Sequence, residues 1–286
     1  SEMPHTLMNQ ARVHELFLET MRNSPSRLEP DYSLRVRDLT VDPDTNDHPV
    51  TVVLERADGA HEGETVTVRA NYVVGADGAR SAVARAEVPG GDRIPYVIAY
   101  HEIIAAPPAD ETYDPDRCDV IYDGRISPDF YGWVFPHGPN ASVGMGTEVD
   151  GVDLKAATAA LLKMSGLAGC ETIRREGAPI PLKPLDRWDN GRDVVLAGDA
   201  AGVVAPSSGE GIYYAMVGGR VAATAAQAAL ASGRVRDLQL ARKLFMKEHK
   251  TVFRVLRSMQ DAYYRSDERR ERFVSLCHDI DVQRLT

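Results

Sequence analysis

Apolar residues recur along this chain at two spacings, and the changes between them divide it into segments. Across residues 10–21, Ala11, Val13, Leu16, Phe17, Leu18 and Met21 fall at helical spacing, and Asn23-Ser24-Pro25-Ser26 ends the pattern. Loose alternation over residues 32–39 predicts the start of a strand, and clearer alternation predicts two more at Val50–Arg56 and Thr65–Ala70. The charged turn Ala57-Asp58-Gly59-Ala60-His61-Glu62-Gly63 joins those two as a hairpin at a solvated edge, with His61 a surface residue. Strand patterns follow at residues 96–104, 119–122, 132–135 and 141–148 with no helical pattern between them, so an antiparallel sheet is expected. Helical spacing returns at Leu154–Met164 and over residues 209–232 and 237–264.

Three stretches carry denser chemistry. Val194-Val195-Leu196-Ala197 is a short apolar run suited to a buried strand, and Asp199 follows it at the carboxyl end, where open α/β sheets bind ligands. The loop Pro206-Ser207-Ser208-Gly209-Glu210-Gly211 then opens an Ala-rich helix, whose free N–H groups and positive dipole end suit an anion or a developing negative charge. A second strand–turn–acid unit is Val73-Val74-Gly75-Ala76-Asp77-Gly78, and two such ends can converge on one extended ligand. The third stretch is Pro128-Asp129-Phe130-Tyr131-Gly132-Trp133-Val134-Phe135-Pro136, with Gly144-Met145-Gly146 beyond it. Alternation puts Tyr131, Trp133 and Phe135 on one face, a continuous aromatic surface that serves equally as sheet core or pocket wall.

Composition narrows the class. The 286 residues, 43% hydrophobic and 26% charged, are those of a globular chain large enough for one large or two ordinary domains. A net charge of −9 argues against nucleic acid as the principal partner. Cys118, Cys170 and Cys277 are odd in number and unmatched by histidines at ligand spacing, so neither a disulfide framework nor a metal site is expected, and a reducing, cytoplasmic setting fits. The most apolar segment, residues 211–233, contains Arg220 and is mostly Ala and Gly, which reads as a packed helix and not a membrane span. Arg242, Lys243, Lys247, Lys250, Arg254 and Arg257 give the last long helix a basic side, either a solvated face or a peripheral membrane contact.

Taken together, Gly75-Ala76-Asp77-Gly78 and Gly198-Asp199-Ala200 resemble the FAD-binding signatures of the flavoprotein family that contains the aromatic hydroxylases and the geranylgeranyl reductases. The resemblance implies FAD as cofactor. Asp77 and Gly78 would lie near its pyrophosphate, Gly198, Asp199 and Ala200 at its ribityl portion, and Pro206, Gly209 and Gly211 along the isoalloxazine edge. The aromatic stretch with Gly144 and Gly146 is similar to the substrate-region motif of geranylgeranyl reductases. Tyr100-His101-Glu102, Arg117-Cys118-Asp119-Val120, Arg174-Arg175-Glu176-Gly177 and Arg269-Arg270-Glu271-Arg272-Phe273 extend that similarity from about residue 95 to the last. It implies saturation of prenyl double bonds, as in chlorophyll and bacteriochlorophyll synthesis, with NADPH as hydride source. An isoprenoid or prenylated tetrapyrrole would lie on Tyr131, Trp133, Phe135, Pro136, Gly144 and Gly146. Such alkenes are unpolarised, so a proton donor must act with the hydride. The catalytic residues stay open, with His101, Glu102 and Tyr131 as candidates by position.

The first part is similar instead to a phenol 2-monooxygenase, through Met3-Pro4-His5-Thr6-Leu7-Met8-Asn9, Gln10, Arg12, Ser24-Pro25-Ser26-Arg27-Leu28-Glu29 and Ala79-Arg80-Ser81. In that resemblance Gln10 and Arg12 approach the flavin, and the crossover falls between about Ser81 and Pro95. No Gly-x-Gly-x-x-Gly turn occurs in the sequence, so the unit expected to hold the ADP end is missing and cofactor binding is expected to be impaired. The expected fold is mixed α/β, with an incomplete FAD-binding Rossmann-like domain (1–92 and 186–233), an inserted antiparallel-sheet substrate domain (93–185) and a C-terminal helical region (234–286). An FAD/NADPH aromatic hydroxylase and an inactive apo fragment are the alternatives.

Overall fold

The computed structural model describes residues 10–25, 30–42, 44–45 and 48–280, without the side chains of residues 10–13. Residues 3–9 and 26–29, which carry part of the hydroxylase resemblance, therefore lie outside the described residues, as do the side chains of Gln10 and Arg12. The chain forms two compact units, residues 1–71 and 72–286.

In the first unit the helical spacing becomes α1 (Gln10–Arg22). A three-stranded antiparallel sheet follows, β1 (Leu34–Val41), β2 (Val50–Arg56) and β3 (Thr65–Ala70), in sequential order. The register of β1 shifts between Val36 and Asp38, a bulge that leaves Arg37 beside Glu55, with which it pairs on an exposed face. His61 lies on the hairpin turn, 2.8 Å from Glu64, with both side chains well exposed.

The second unit begins with β4 (Val73–Gly75), whose partner is distant in sequence. A short helix, α2 (Ala82–Glu87), leads into β5 (Tyr96–Ala105), β6 (Asp119–Ile121), β7 (Gly132–His137) and β8 (Asn140–Thr147). After α3 (Leu154–Met164) comes β9 (Thr172–Pro181), and these strands form one antiparallel sheet in the order β6-β7-β8-β5-β9. The expected sheet is thus present, enlarged by β9, which alternation did not reveal. Its charged run Arg174-Arg175-Glu176 and its prolines fit an outer strand, because an edge position needs few ladder donors.

The face of this sheet that meets α3 is apolar. Ile104, Val134, Val143 and Met145 pack with Ala157 and Leu161 of α3 in one buried cluster. Leu161 is fully buried there, so Leu161→Ala should cost about 2–5 kcal/mol through lost transfer energy and a residual cavity. Urea unfolding with an unchanged slope and a lowered midpoint would report it.

Next, β10 (Val194–Leu196) pairs in parallel with β4, and α4 (Ile212–Ser232) and α5 (Leu240–Tyr263) cover the pair. The four-residue periodicity of Val217, Val221, Ala225 and Ala229 puts one stripe of α4 in the core, where small side chains let it approach closely. Trp188 and Phe245 close that core with ring centroids 5.1 Å apart. The long helical pattern resolves into a 3-10 turn (Val235–Gln239) and α5, and α6 (Asp267–Cys277) follows, capped by the Ser266 hydroxyl. The result is a mixed α/β architecture with antiparallel sheets and C-terminal helices.

Candidate functional site

Parallel pairing sets the two acid-bearing strand ends side by side. Leu196 is in register with Gly75, and the Ala197 amide donates to the Gly75 carbonyl at 2.9 Å. The acids beyond these ends behave differently. Both oxygens of Asp77 are spent locally: one accepts from the Ser81 hydroxyl at 2.5 Å, the other from the Ala82 amide at 2.7 Å, at the start of α2. Asp77→Ala should therefore cost about 1 kcal/mol of stability, as loss of a helix cap does, read as a shift in thermal midpoint. Gly78 beside it takes positive φ in the turn.

Asp199 has no such partner. It lies in the 3-10 turn Gly198–Ala201, between the buried Gly198 and Ala200, and its carboxylate has no hydrogen-bond or ion-pair partner among the described residues. Burial pushes its carboxyl pKa up. Gly211, at the start of α4, brings backbone to this acid: a Cβ there would stand 3.4 Å from Oδ1. A half-buried carboxylate with free lone pairs next to a glycine-lined helix start fits a ligand that presents hydroxyl donors, and a ribityl chain is such a group.

The connecting loop is held from two sides. Pro206 and Ser207 are buried, the Tyr264 hydroxyl donates to the Ser207 carbonyl at 3.0 Å, and the Tyr131 hydroxyl donates to the Ser208 carbonyl. Gly209 turns with φ of 67°, and a Cβ there would lie 3.6 Å from both the Tyr131 hydroxyl and the Phe130 ring. Burial raises the pKa of both tyrosines, which stay neutral donors. Tyr131 therefore belongs at once to the aromatic stretch and to the loop expected at the flavin edge.

From Tyr131 the aromatic face runs outward. Its ring lies 6.1 Å from Trp133, which stacks on Phe135 at 6.2 Å. Across the sheet, Trp133 is in register with Gly144 and Gly144 with His101. A Cβ at Gly144 would meet the His101 Cβ at 2.4 Å and Trp133 Cζ2 at 2.6 Å, and one at Gly146 would meet Val97 at 2.6 Å and Phe130 at 3.1 Å. The two buried glycines thus leave the room that the Trp133 and Phe130 rings occupy. Pro136 alternates to the opposite face with Val134, away from the aromatic line.

The three candidate proton donors separate. Glu102 is in register with Val143 on the α3 side and binds Thr172 at 2.8 Å and Arg175 at 3.1 Å. Burial pushes its carboxyl pKa up, but these hydrogen bonds together outweigh burial and leave it lowered. Tyr131 is committed to Ser208. His101 stands on the aromatic face, with Nδ1 2.8 Å from the Ser142 hydroxyl and Nε2 3.2 Å from Glu176. Ser142, Glu176 and Tyr264 were missed in the sequence. Ser142 shares the period-two face of Gly144 and Gly146 and was legible there, whereas the contact of Tyr264 with Ser207 spans 57 residues and has no local signal.

The chain is similar to several known proteins. Residues 1–98 match the family described as FAD binding domain. Over 78% of its length the chain is 69% identical to a geranylgeranyl diphosphate reductase of Rhodobacter capsulatus, covering 57% of that protein. A stretch of 86 residues, 30% of the chain, is 63% identical to a 3-hydroxybenzoate 4-monooxygenase of Comamonas testosteroni, covering 14% of it, in line with the expected aromatic-hydroxylase resemblance. A crystal structure of a geranylgeranyl bacteriochlorophyll reductase-like protein from Thermoplasma acidophilum superposes with a TM-score of 0.64 at 24% identity, covering 80% of this chain and 61% of that one, which is a likeness of fold. The chain spans about half the length of the curated geranylgeranyl reductases it matches. The chain is a homologue of the geranylgeranyl diphosphate reductases, with a match to the FAD binding domain family and a hydroxylase-like N-terminal segment.

Proposed function

We propose that the protein is an FAD-dependent reductase that saturates the prenyl double bonds of an isoprenoid or a prenylated tetrapyrrole, with NADPH as hydride source. The observation that carries this reading is the continuity of two surfaces through one residue. Tyr131 both begins the aromatic line and bonds the loop that leads to Asp199 and α4. An apolar chain laid on Trp133 and Phe135 would thereby end beside the cofactor loop.

Asp199 would accept hydrogen bonds from ribityl hydroxyls, with Gly198 and Ala200 keeping the turn close. Pro206, Gly209 and Gly211 would follow the isoalloxazine edge. The start of α4 would favour negative charge there. Gly78 joins this set on resemblance. When bound, FAD supplies hydride chemistry. No helix among the described residues is long and apolar enough to cross a membrane. In the basic side of α5, Arg242 bonds the Leu185 carbonyl and Arg257 pairs with Asp261, which leaves Lys243, Lys247, Lys250 and Arg254 as the exposed residues for a peripheral lipid contact.

The test is anaerobic. Protein loaded with FAD and reduced by NADPH should be reoxidised on adding geranylgeranyl diphosphate or a geranylgeranylated pigment. Reoxidation by oxygen with a phenol, and by no prenyl compound, would overturn the reading. That outcome would favour an aromatic hydroxylase, the alternative that the 63% identical stretch supports.

A further inference from the structure

His101 is placed to handle a proton on the aromatic face. It stands in one row across the sheet with Val120, Trp133, Gly144 and Glu176, and its ring centroid lies 6.3 Å from that of Trp133. The Ser142 hydroxyl oxygen accepts the Trp133 indole N–H at 3.0 Å and meets His101 Nδ1 at 2.8 Å. The serine oxygen can accept Nδ1–H in both charge states of the ring, while Nε2 faces the Glu176 carboxylate. When imidazole is charged, both of its N–H groups still have acceptors, Ser142 and Glu176. A ring satisfied in both states can give and regain a proton without rearranging. Glu176 lies on β9, the open edge of the sheet, with its side chain 47% exposed, and so connects the ring to water.

Resting on the reductase reading, we propose that His101 donates the proton that accompanies hydride when a prenyl double bond on this face is saturated, with Ser142 and Glu176 as its positioning residues. The balance is closed. The π bond breaks; one carbon takes hydride, with its two electrons, from a reduced dihydroflavin, and the other takes a proton from the imidazolium as the N–H bond breaks. An alkane unit and an imidazole deprotonated at Nε2 remain, its Nδ1–H still held by Ser142, and water restores the Nε2 proton by way of Glu176. Of the groups facing His101, Glu176 on β9 raises its pKa, whereas burial, the largest effect, and then Arg174 on β9 and His137 at the end of β7 lower it. Ser142 and Trp133 are uncharged. The net pKa is lowered, so the acid form grows as pH falls, and the rate should rise on acidification.

Two measurements test this. In the FAD-loaded protein, His101→Gln should slow reoxidation by a prenyl substrate about 100-fold or more and flatten its pH dependence, with the loss in kcat and not in KM. Ser142→Ala keeps the imidazole and should give a smaller loss of about 10-fold, which retains the test should His101→Gln fail to fold. In the flavin-free protein, the histidine NMR resonance absent from His101→Gln should titrate below the ordinary imidazole range, and lower still in Glu176→Gln. Wild-type turnover with His101→Gln and Ser142→Ala at wild-type rate, or a resonance indifferent to Glu176→Gln, would overturn the proposal alone. A wild-type flavin that no prenyl compound reoxidises would overturn it together with the reductase reading.

Discussion

Gly144→Ala should destabilise the protein by about 3 kcal/mol, the upper part of the range for overpacking a filled core. The added methyl would stand 2.5 Å from the Tyr100 carbonyl oxygen and 2.6 Å from the Trp133 ring, while the backbone on its other side is fixed in the sheet ladder. The indole is the element able to give way. Displacing it breaks its hydrogen bond to Ser142 and opens the stack with Phe135. For a unit of this size the thermal midpoint should fall by about 6–12 °C. The environment of Trp133 should change in near-ultraviolet circular dichroism even where the protein stays folded. A midpoint within about 1 °C of wild type would show that the floor beneath Trp133 tolerates a side chain.

Asp199→Asn should separate cofactor binding from stability. A hydrogen bond to a charged acceptor contributes about 1.5–3 kcal/mol, so losing the carboxylate should weaken FAD binding about 10- to 100-fold, measured by flavin fluorescence titration. The flavin-free protein should move the other way. Burial raises the pKa of Asp199 in the fold, so its ionised form opposes folding, and that penalty sets in as pH rises above the carboxyl's ordinary range. A neutral amide removes it, and the variant should be equally or more stable at pH 7 and no more stable near pH 3. Unchanged FAD affinity would strike Asp199 from the cofactor site.

The repeating patterns made the scaffold legible. The spacing of apolar residues located β2, β3 and α3 to the residue, because β2 and β3 alternate apolar and polar residues and α3 buries one face. It failed at β9, which pairs with β5 and whose own alternation is broken by Arg174, Arg175, Glu176, Pro179 and Pro181. It also missed α6, although Ser266-Asp267-Glu268 is a good helix start, with the serine hydroxyl capping the Arg269 amide. In the site, the strand-end acids were legible as a pair, but their division of labour was not. Asp77 is consumed by Ser81 and the first amides of α2, and only the three-dimensional path of that turn reveals it. The loop anchors Tyr131 and Tyr264 were illegible for a similar reason, since their acceptors lie 77 and 57 residues away in the chain.

The order of the five-stranded sheet has a consequence for solubility. A sheet ends in rows of unused amides and carbonyls, which invite a strand from another molecule. One border here is β6, only three residues long, with the Arg117–Asp119 ion pair at its entry. The other is β9, where Pro179 and Pro181 remove two donors and Arg174, Arg175 and Glu176 place charge along the rim. The same residues that hid β9 from the periodic pattern guard the sheet against edge-to-edge growth. Replacing Pro179 and the two arginines with threonine or valine would be expected to convert a protected border into a seed for aggregation.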